Sequence, residues 1–128
     1  NRHWLNANLW VLNNPLITFI FDPPPEKVRE LYQTHEVFIH PSMLEAGHPN
    51  LTLLEAAACG MPIIGWIEHA TDFHGLWRAP RDILDMKTGY KDIQDNKDRY
   101  IQNSLNTAEE LSWHNRSKDI LEIYQQFI

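Results

Sequence analysis

The amino-acid sequence predicts an α/β fold in which helices flank a parallel β-sheet. Three short apolar runs, at 16–21, 37–39 and 61–66, are rich in β-branched and aromatic residues and are typical of buried strands. Helical patterns fill the two intervals between these runs, and the connections are short. Because parallel strands are joined by crossover helices, this alternating order favours a parallel sheet.

Length and composition bound the class of protein. The chain has 128 residues, 43% of them hydrophobic, which suits a single domain over 1–128 with a real core. A formal net charge of −6 argues against a nucleic-acid partner, because phosphate backbones attract basic surfaces. One cysteine, Cys59, excludes a disulfide framework and a cysteine-based zinc site. No apolar run approaches the roughly 20 residues that span a bilayer.

The first predicted helix covers 26–34. Prolines at 23–25 suit its first turn, where a backbone N–H has no helical partner to lose. Three apolar residues then share one face and make the helix amphipathic: Val28, Leu31 and Tyr32.

A second helix is predicted from about 51 to 59. Gly60 stands where a helix-ending glycine belongs. The alanines at 56–58 are expected to let this helix pack closely on the sheet, with Cys59 as a small buried residue.

The second half of the chain is predicted to be helical. Apolar residues keep helical spacing from Ile83 to Ile93, with Gly89 as a weak point, and a similar pattern runs over 100–111. Ser112 is a predicted N-cap for a last helix. Four apolar residues of that helix share a face: Trp113, Ile120, Tyr124 and Phe127.

Candidate functional residues cluster between the second and third predicted strands. Ligands of open α/β sheets bind beyond the carboxyl ends of the strands, where His40 and the loop with Glu45 are expected. The N–H groups of Leu51, Thr52 and Leu53 begin the next helix, and a helix start favours phosphate. Glu55, one turn further, is suited to accept two hydrogen bonds from neighbouring hydroxyls such as a ribose diol.

The seven histidines do not predict a metal site. His35 and His40 are five residues apart, as are His69 and His74, whereas helical ligand pairs are four apart. No cysteine or carboxylate cluster completes a ligand set. We therefore expect neither a resident metal nor another cofactor.

Two motifs in this region resemble a known family. They are PSMLE at 41–45 and LEAAACGMPII at 54–64. Together they are similar to the Rossmann-like, C-terminal nucleotide-binding domain of the group 1 glycosyltransferases, which have GT-B architecture. The resemblance extends over nearly the whole chain, and its specific part is 37–66.

The resemblance implies an enzyme that transfers a sugar from a nucleotide-sugar donor to an acceptor, with retention of configuration and without a metal. Glu45 would be the catalytic residue beside the donor sugar, and Glu55 would bind the donor ribose. The remaining donor-binding residues implied are His40, Gly47, His48, Asn50, Leu51 and Thr52. The base would lie near 21–24 and His40.

The sequence departs from the family pattern in two ways. Nine residues separate Glu45 from Glu55, where the family usually has seven, so two extra residues lie in the loop at 46–50. The family's first strand, with its glycine loop and basic pair, does not precede Trp4. We therefore expect a fragment that lacks the acceptor domain, binds donor weakly and is inactive alone.

Other interpretations stay open at this stage. A nucleotide-sugar epimerase would share the architecture, and a degenerate, non-catalytic binding domain would fit the altered loop at 46–50. For partners, we expect the donor and the acceptor domain of the same protein, with peripheral membrane association of the parent or a homodimer as further options. The expected location is the cytoplasm.

Overall fold

The structure, a computed structural model, describes residues 13–40, 51–66, 73–78 and 83–127. Its centre is a three-stranded parallel sheet with the order β1-β2-β3. The strands are β1 (Phe38–His40), β2 (Ile63–Gly65) and β3 (Leu76–Arg78). The helices are α1 (Pro25–Thr34), α2 (Leu51–Ala58), α3 (Ile83–Asp95), α4 (Lys97–Glu110) and α5 (Trp113–Gln125). This arrangement confirms the predicted α/β class, a Rossmann-like parallel sheet flanked by helices.

The predicted strand at 16–21 is wrong. These residues are all described, and they form a turn at Leu16 followed by irregular chain outside the sheet. Leu16 and Phe21 are 91% and 69% exposed. An apolar run becomes a strand only when a neighbouring strand completes its hydrogen bonds, and none of the described strands pairs with this run.

The third strand of the sheet, β3, was not predicted. It has three residues and no apolar run, so its sequence carries little strand signal. Pairing with β2 makes it a strand: Ile63 and Ile64 lie in register with Leu76 and Trp77. The N–H of Ile63 also donates to the Gly75 carbonyl at 3.2 Å.

Helices cover both faces of the central strand. Ile63 faces α2 and Ile64 faces α3, because successive strand residues point to opposite sides. On the α2 side the buried cluster contains Leu53, Ala56, Ala57, Met61, Ile63, Phe73 and Leu76. On the other side Ile64 packs with Ile93 and Tyr100. The two apolar layers explain why β2 is buried at all three positions.

The predicted end of α2 at Gly60 is confirmed. Gly60 has a φ of +73°, a conformation that favours glycine. Its N–H donates to the Ala57 carbonyl at 2.8 Å, and the Met61 N–H donates to the Ala56 carbonyl at 3.0 Å. This pair of bonds is the Schellman motif. Ala56 and Ala57 are buried as predicted, whereas Ala58 is exposed and Cys59 is only half-buried.

Helix α4 packs across α2 and also binds the chain just before β2 and just before β3 through polar side chains. Ser104 Oγ donates to the Met61 carbonyl at 2.9 Å, and Thr107 Oγ1 accepts from the His74 N–H at 3.2 Å. A Cβ atom on Gly75 would lie 2.1 Å from Ser104 Oγ, so only glycine allows this approach. These contacts place β3 beside β2.

Helix α5 begins at the predicted N-cap, with Ser112 Oγ accepting from the Asn115 N–H at 3.4 Å. None of its thirteen residues, all of them described, is buried. Over the described residues, no helix is both long and apolar enough to cross a membrane.

Candidate functional site

The strands end together at one edge of the sheet. His40, Gly65 and Arg78 are aligned in register as the last residues of β1, β2 and β3. His40 is buried, and its ring lies 5.9 Å from that of Phe38. A Cβ atom on Gly65 would lie 3.1 Å from Leu76 Cδ1, so the glycine leaves room for the Leu76 side chain of β3 beside the end of β2. This is the sheet edge at which the sequence predicted a ligand.

Helix α2 starts at the same edge. Because β1 and β2 are parallel and α2 connects them in the chain, α2 runs back across the sheet and its first residues lie at the carboxyl ends of the strands. Leu51 and Thr52 are these first residues, and both are exposed. The positive end of the helix dipole lies there, as phosphate binding requires.

Glu55 is exposed on α2, in a cleft of about 460 Å³ between α1 and α2. Arg29 and Tyr32 of α1 line the other side of this cleft, and Cys59 lines it on α2. Apolar atoms of Pro23, Pro25 and Val28 complete the wall. A carboxylate, a guanidinium and a phenol thus face one cleft that is apolar elsewhere.

The electrostatic environment of the cleft affects the pKa of Tyr32. Burial raises the pKa of its hydroxyl, and the negative charge of Glu55 and then Cys59 raise the pKa further. The Tyr32 ring is held edge-on to the Phe38 ring with centroids 5.5 Å apart. Tyr32 therefore stays neutral at physiological pH and offers its O–H as a hydrogen-bond donor near Glu55.

Sequence reasoning placed Glu55 in the site but missed Arg29 and Tyr32. Tyr32 was assigned only to the apolar face of α1. The available signal was the spacing of three residues between Arg29 and Tyr32, which puts both on one side of a helix. That α1 lies against α2 is a tertiary contact without a local sequence signal.

Half of the predicted site lies outside the described residues. These positions are Glu45, Gly47, His48 and Asn50. The structure places His40 at the carboxyl edge of the sheet, where α2 begins with Leu51 and Thr52, and Glu55 one turn further along α2. The predicted role of the loop stays a prediction.

Two of the described histidines, His35 and His74, have structural surroundings. His35 Nδ1 lies 2.9 Å from the Leu31 carbonyl at the end of α1, and the backbone of His74 is held by Thr107. Among the described residues, no three His, Cys, Asp or Glu side chains come close enough to hold a metal ion.

Comparison with known proteins finds similarity to glycosyltransferases. Residues 10–68 match the family model of the glycosyl transferases group 1. The matched stretch runs through α1, β1, α2 and β2, the elements that build the cleft and sheet edge. The similarity therefore falls on the same part of the fold as the candidate site.

The chain is also similar to a D-inositol 3-phosphate glycosyltransferase of Corynebacterium kroppenstedtii. The two sequences are 25% identical over 126 residues, which is 90% of this chain and 27% of the relative. The chain thus spans about a quarter of the length of the curated relative it matches. No solved structure gives a significant match.

Proposed function

We propose that this domain binds the nucleotide-sugar donor of a retaining glycosyltransferase. The observation that carries the proposal is Glu55, which lines the α1–α2 cleft inside the stretch that matches the group 1 model. An exposed carboxylate beside an apolar wall suits a nucleoside, whose ribose offers two hydroxyls and whose base offers a flat apolar ring.

The proposed roles follow from position. Glu55 accepts hydrogen bonds from the ribose diol, and the start of α2 at Leu51 and Thr52 receives the diphosphate. His40 contacts the donor from the end of β1. From the loop, Glu45 acts on the donor sugar as the catalytic residue, and Gly47, His48 and Asn50 bind the donor. Transfer then depends on positioning and on stabilising positive charge that develops on the sugar.

The rest of the proposal concerns the parent protein. The acceptor is held by a separate domain, and no resident metal or cofactor takes part. The relative's name specifies D-inositol 3-phosphate. Because the chain spans 27% of that relative, we extend only a hydroxyl-bearing acceptor to the parent of this chain. We place the parent protein in the cytoplasm as part of the same proposal.

The test is a titration of the chain with UDP, GDP and ADP, and with their sugar conjugates, followed by backbone amide NMR. We expect a dissociation constant of the order of millimolar, about −4 kcal/mol, with shifts centred on α2 and the 22–32 segment. Glu55→Ala should weaken binding at least tenfold. Glu110→Ala, which removes an exposed glutamate of α4 far along the chain, is the matched control.

Different results contradict the role of Glu55, donor binding and sugar transfer. Binding that survives Glu55→Ala unchanged contradicts the role of Glu55. If no nucleotide shifts any amide signal of the parent protein, donor binding is contradicted altogether. A product assay on the parent distinguishes a transferred sugar from an epimerised one.

A further inference from the structure

We propose that the donor of this domain is a guanine nucleotide and that Arg29 selects its base. The inference rests on the proposed function and deepens it, because it names the base that occupies the cleft between α1 and α2. Arg29 donates hydrogen bonds to O6 and N7 of guanine, while Glu55 holds the ribose of the same nucleotide. Arg29 is thus a specificity-determining residue outside the set that the sequence predicted.

The cleft has a direction relative to the sheet. Helix α2 begins at the carboxyl edge of the strands and ends before β2, so Cys59 lies toward the opposite edge. Helix α1 ends before β1 and places Tyr32 toward that same opposite edge. Tyr32, Glu55 and Cys59 all line the cleft. A nucleotide with its phosphates at the start of α2 therefore extends past Glu55 toward Tyr32 and Cys59.

The length of α2 matches the order of the groups in a nucleotide. At 1.5 Å per residue, Glu55 lies about 4.5 Å along the helix axis from Thr52, and Cys59 lies about 6 Å beyond Glu55. Phosphate at the helix start and ribose at Glu55 leave the base for the part of the cleft beside Cys59. The cleft volume of about 460 Å³ is within the range of small-molecule sites.

Three polar side chains of the cleft have hydrogen-bonding capacity to spare. Within the described residues, the Arg29 guanidinium, the Tyr32 hydroxyl and the Glu55 carboxylate form no hydrogen bond or ion pair. By contrast Lys27, the other cation of α1, is paired with Glu30 at 2.6 Å. A guanidinium and a carboxylate that line one cleft without pairing with each other are both available to a ligand.

The polar groups that accompany Glu55 in the cleft are donors. Arg29 carries five N–H groups in a rigid fork, and the neutral Tyr32 offers its O–H. Among the bases, guanine presents two acceptors, O6 and N7, side by side. Adenine combines one acceptor with an amino donor, cytosine presents an amino donor, and uracil presents one acceptor at the corresponding edge. A site of donors therefore favours guanine first, uracil next and the amino-bearing edges least.

The alternative role for Arg29 is attraction of the diphosphate, and it predicts a different pattern of affinities. Every donor carries the same diphosphate, so a contact with it strengthens the binding of all nucleotides equally. A contact with the base strengthens the binding of guanine nucleotides alone. The comparison of several nucleotides therefore separates the two roles.

Amide NMR titrations of the chain with GDP, UDP, ADP and CDP give four dissociation constants under one condition. We expect GDP to bind at least tenfold more tightly than ADP, with UDP between them. Inosine diphosphate keeps O6 and N7 but lacks the amino group of guanine, so it should match GDP within about twofold. The 7-deaza analogue of GDP lacks N7 and should lose most of the advantage over ADP.

Variants of α1 test the assignment to Arg29. Arg29→Ala should abolish the preference for GDP and change the affinity for ADP by less than about threefold. Arg29→Lys keeps the charge but loses the planar fork, so it should lose the preference as well. Lys27→Ala is the matched control, since it removes a cation of the same helix that is paired with Glu30, and it should keep the preference. Circular dichroism confirms that the variants keep their helices.

The outcomes distinguish this inference from the proposed function. Equal affinity for all four nucleotides, still lost in Glu55→Ala, overturns the choice of guanine and leaves donor binding standing. A preference for GDP that persists in Arg29→Ala overturns the role of Arg29, and so does an equal loss of affinity for all four nucleotides. Where the chain binds too weakly to titrate, the same series is run on the parent protein. Absence of binding there overturns this inference together with the proposed function.

Discussion

Helices α2 and α5 show two fates of an apolar helical face. Over eight residues, α2 buries Leu53, Ala56 and Ala57 almost completely. Over thirteen residues, α5 buries none. The difference lies in the neighbours along the chain: α2 connects two paired parallel strands and is drawn onto the sheet, whereas α5 follows α4 at the edge of the domain. Apolar periodicity thus indicates that a face will be covered, and the topology decides whether the same domain covers it.

The largest expected effect contrasts these helices directly. Leu53→Ala should lower the free energy of unfolding by about 3 kcal/mol, because it leaves a cavity in the core against β2. Leu121→Ala on α5 removes the same atoms from a side chain that is 58% exposed and should cost less than about 0.5 kcal/mol. Urea unfolding of both variants gives the measurement. Equal losses would show that α5 is packed like α2.

Gly89→Ala tests whether a third helix, α3, is packed onto the sheet like α2 or exposed like α5. Helix propensity alone favours alanine there by about 1 kcal/mol. A Cβ atom at this position would lie 2.4 Å from Trp77 Cε3, so α3 rests directly on the Trp77 ring. We expect a loss of about 1–3 kcal/mol from this overpacking, measured by urea unfolding.

The control for Gly89→Ala is a background in which Trp77→Val has removed the ring. There the alanine should be neutral or stabilising. A stabilising Gly89→Ala in the unaltered chain would show that α3 is not pressed onto β3 and is an exposed helix like α5.

A smaller effect is expected at the junction of α3 and α4. Tyr100 Oη donates a hydrogen bond to Asp92 Oδ2. The other carboxylate oxygen of Asp92, Oδ1, accepts a hydrogen bond from Asn96 Nδ2 at 3.0 Å. Arg99 approaches the same carboxylate to 3.7 Å. Tyr100→Phe removes one of these partners and should cost about 1 kcal/mol at pH 7.

This junction also predicts a pH dependence. Burial, together with the hydrogen bond to Asp92, raises the pKa of Tyr100 from 10.0 to about 12 against the opposing effect of Arg99. The unfolded chain therefore loses this proton first, and the stabilisation is full below pH 10 and declines as the pH rises toward 12. Unfolding curves between pH 8 and 12 should show this decline in the unaltered chain and a shallower one in Tyr100→Phe. Identical slopes would contradict the assignment to Tyr100.

Local signals predicted the elements that local chemistry specifies. The prolines before α1, Gly60 after α2 and Ser112 before α5 each satisfy or spare backbone groups within a few residues, so their positions were readable from the sequence. The wrong strand prediction at 16–21 and the missed strand β3 have one common reason. A strand depends on its neighbour. A local pattern therefore encodes neither the pairing of β3 with β2 nor the fact that 16–21 pairs with no strand among the described residues.

The candidate site also contains residues that local signals predicted and residues that they missed. Glu55 and the start of α2 were identified because a carboxylate near a helix start, after a buried strand, suggests a chemistry by itself. Arg29 and Tyr32 were missed because their place in the cleft depends on how α1 packs beside α2. The resemblance to the group 1 glycosyltransferases was visible in two short motifs, one of which lies in the matched elements described here.

The sequence by itself determined the α/β class, the limits of most helices and the carboxylate of the candidate site, since periodicity, capping and motif chemistry act over a few residues. Tertiary structure alone decided which apolar runs joined the sheet and which side chains faced Glu55. It also decided that α2 would turn its apolar face inward and α5 its apolar face outward. These outcomes depend on contacts between residues far apart in the chain, where the free energy of burial depends on the partner and not on the local pattern.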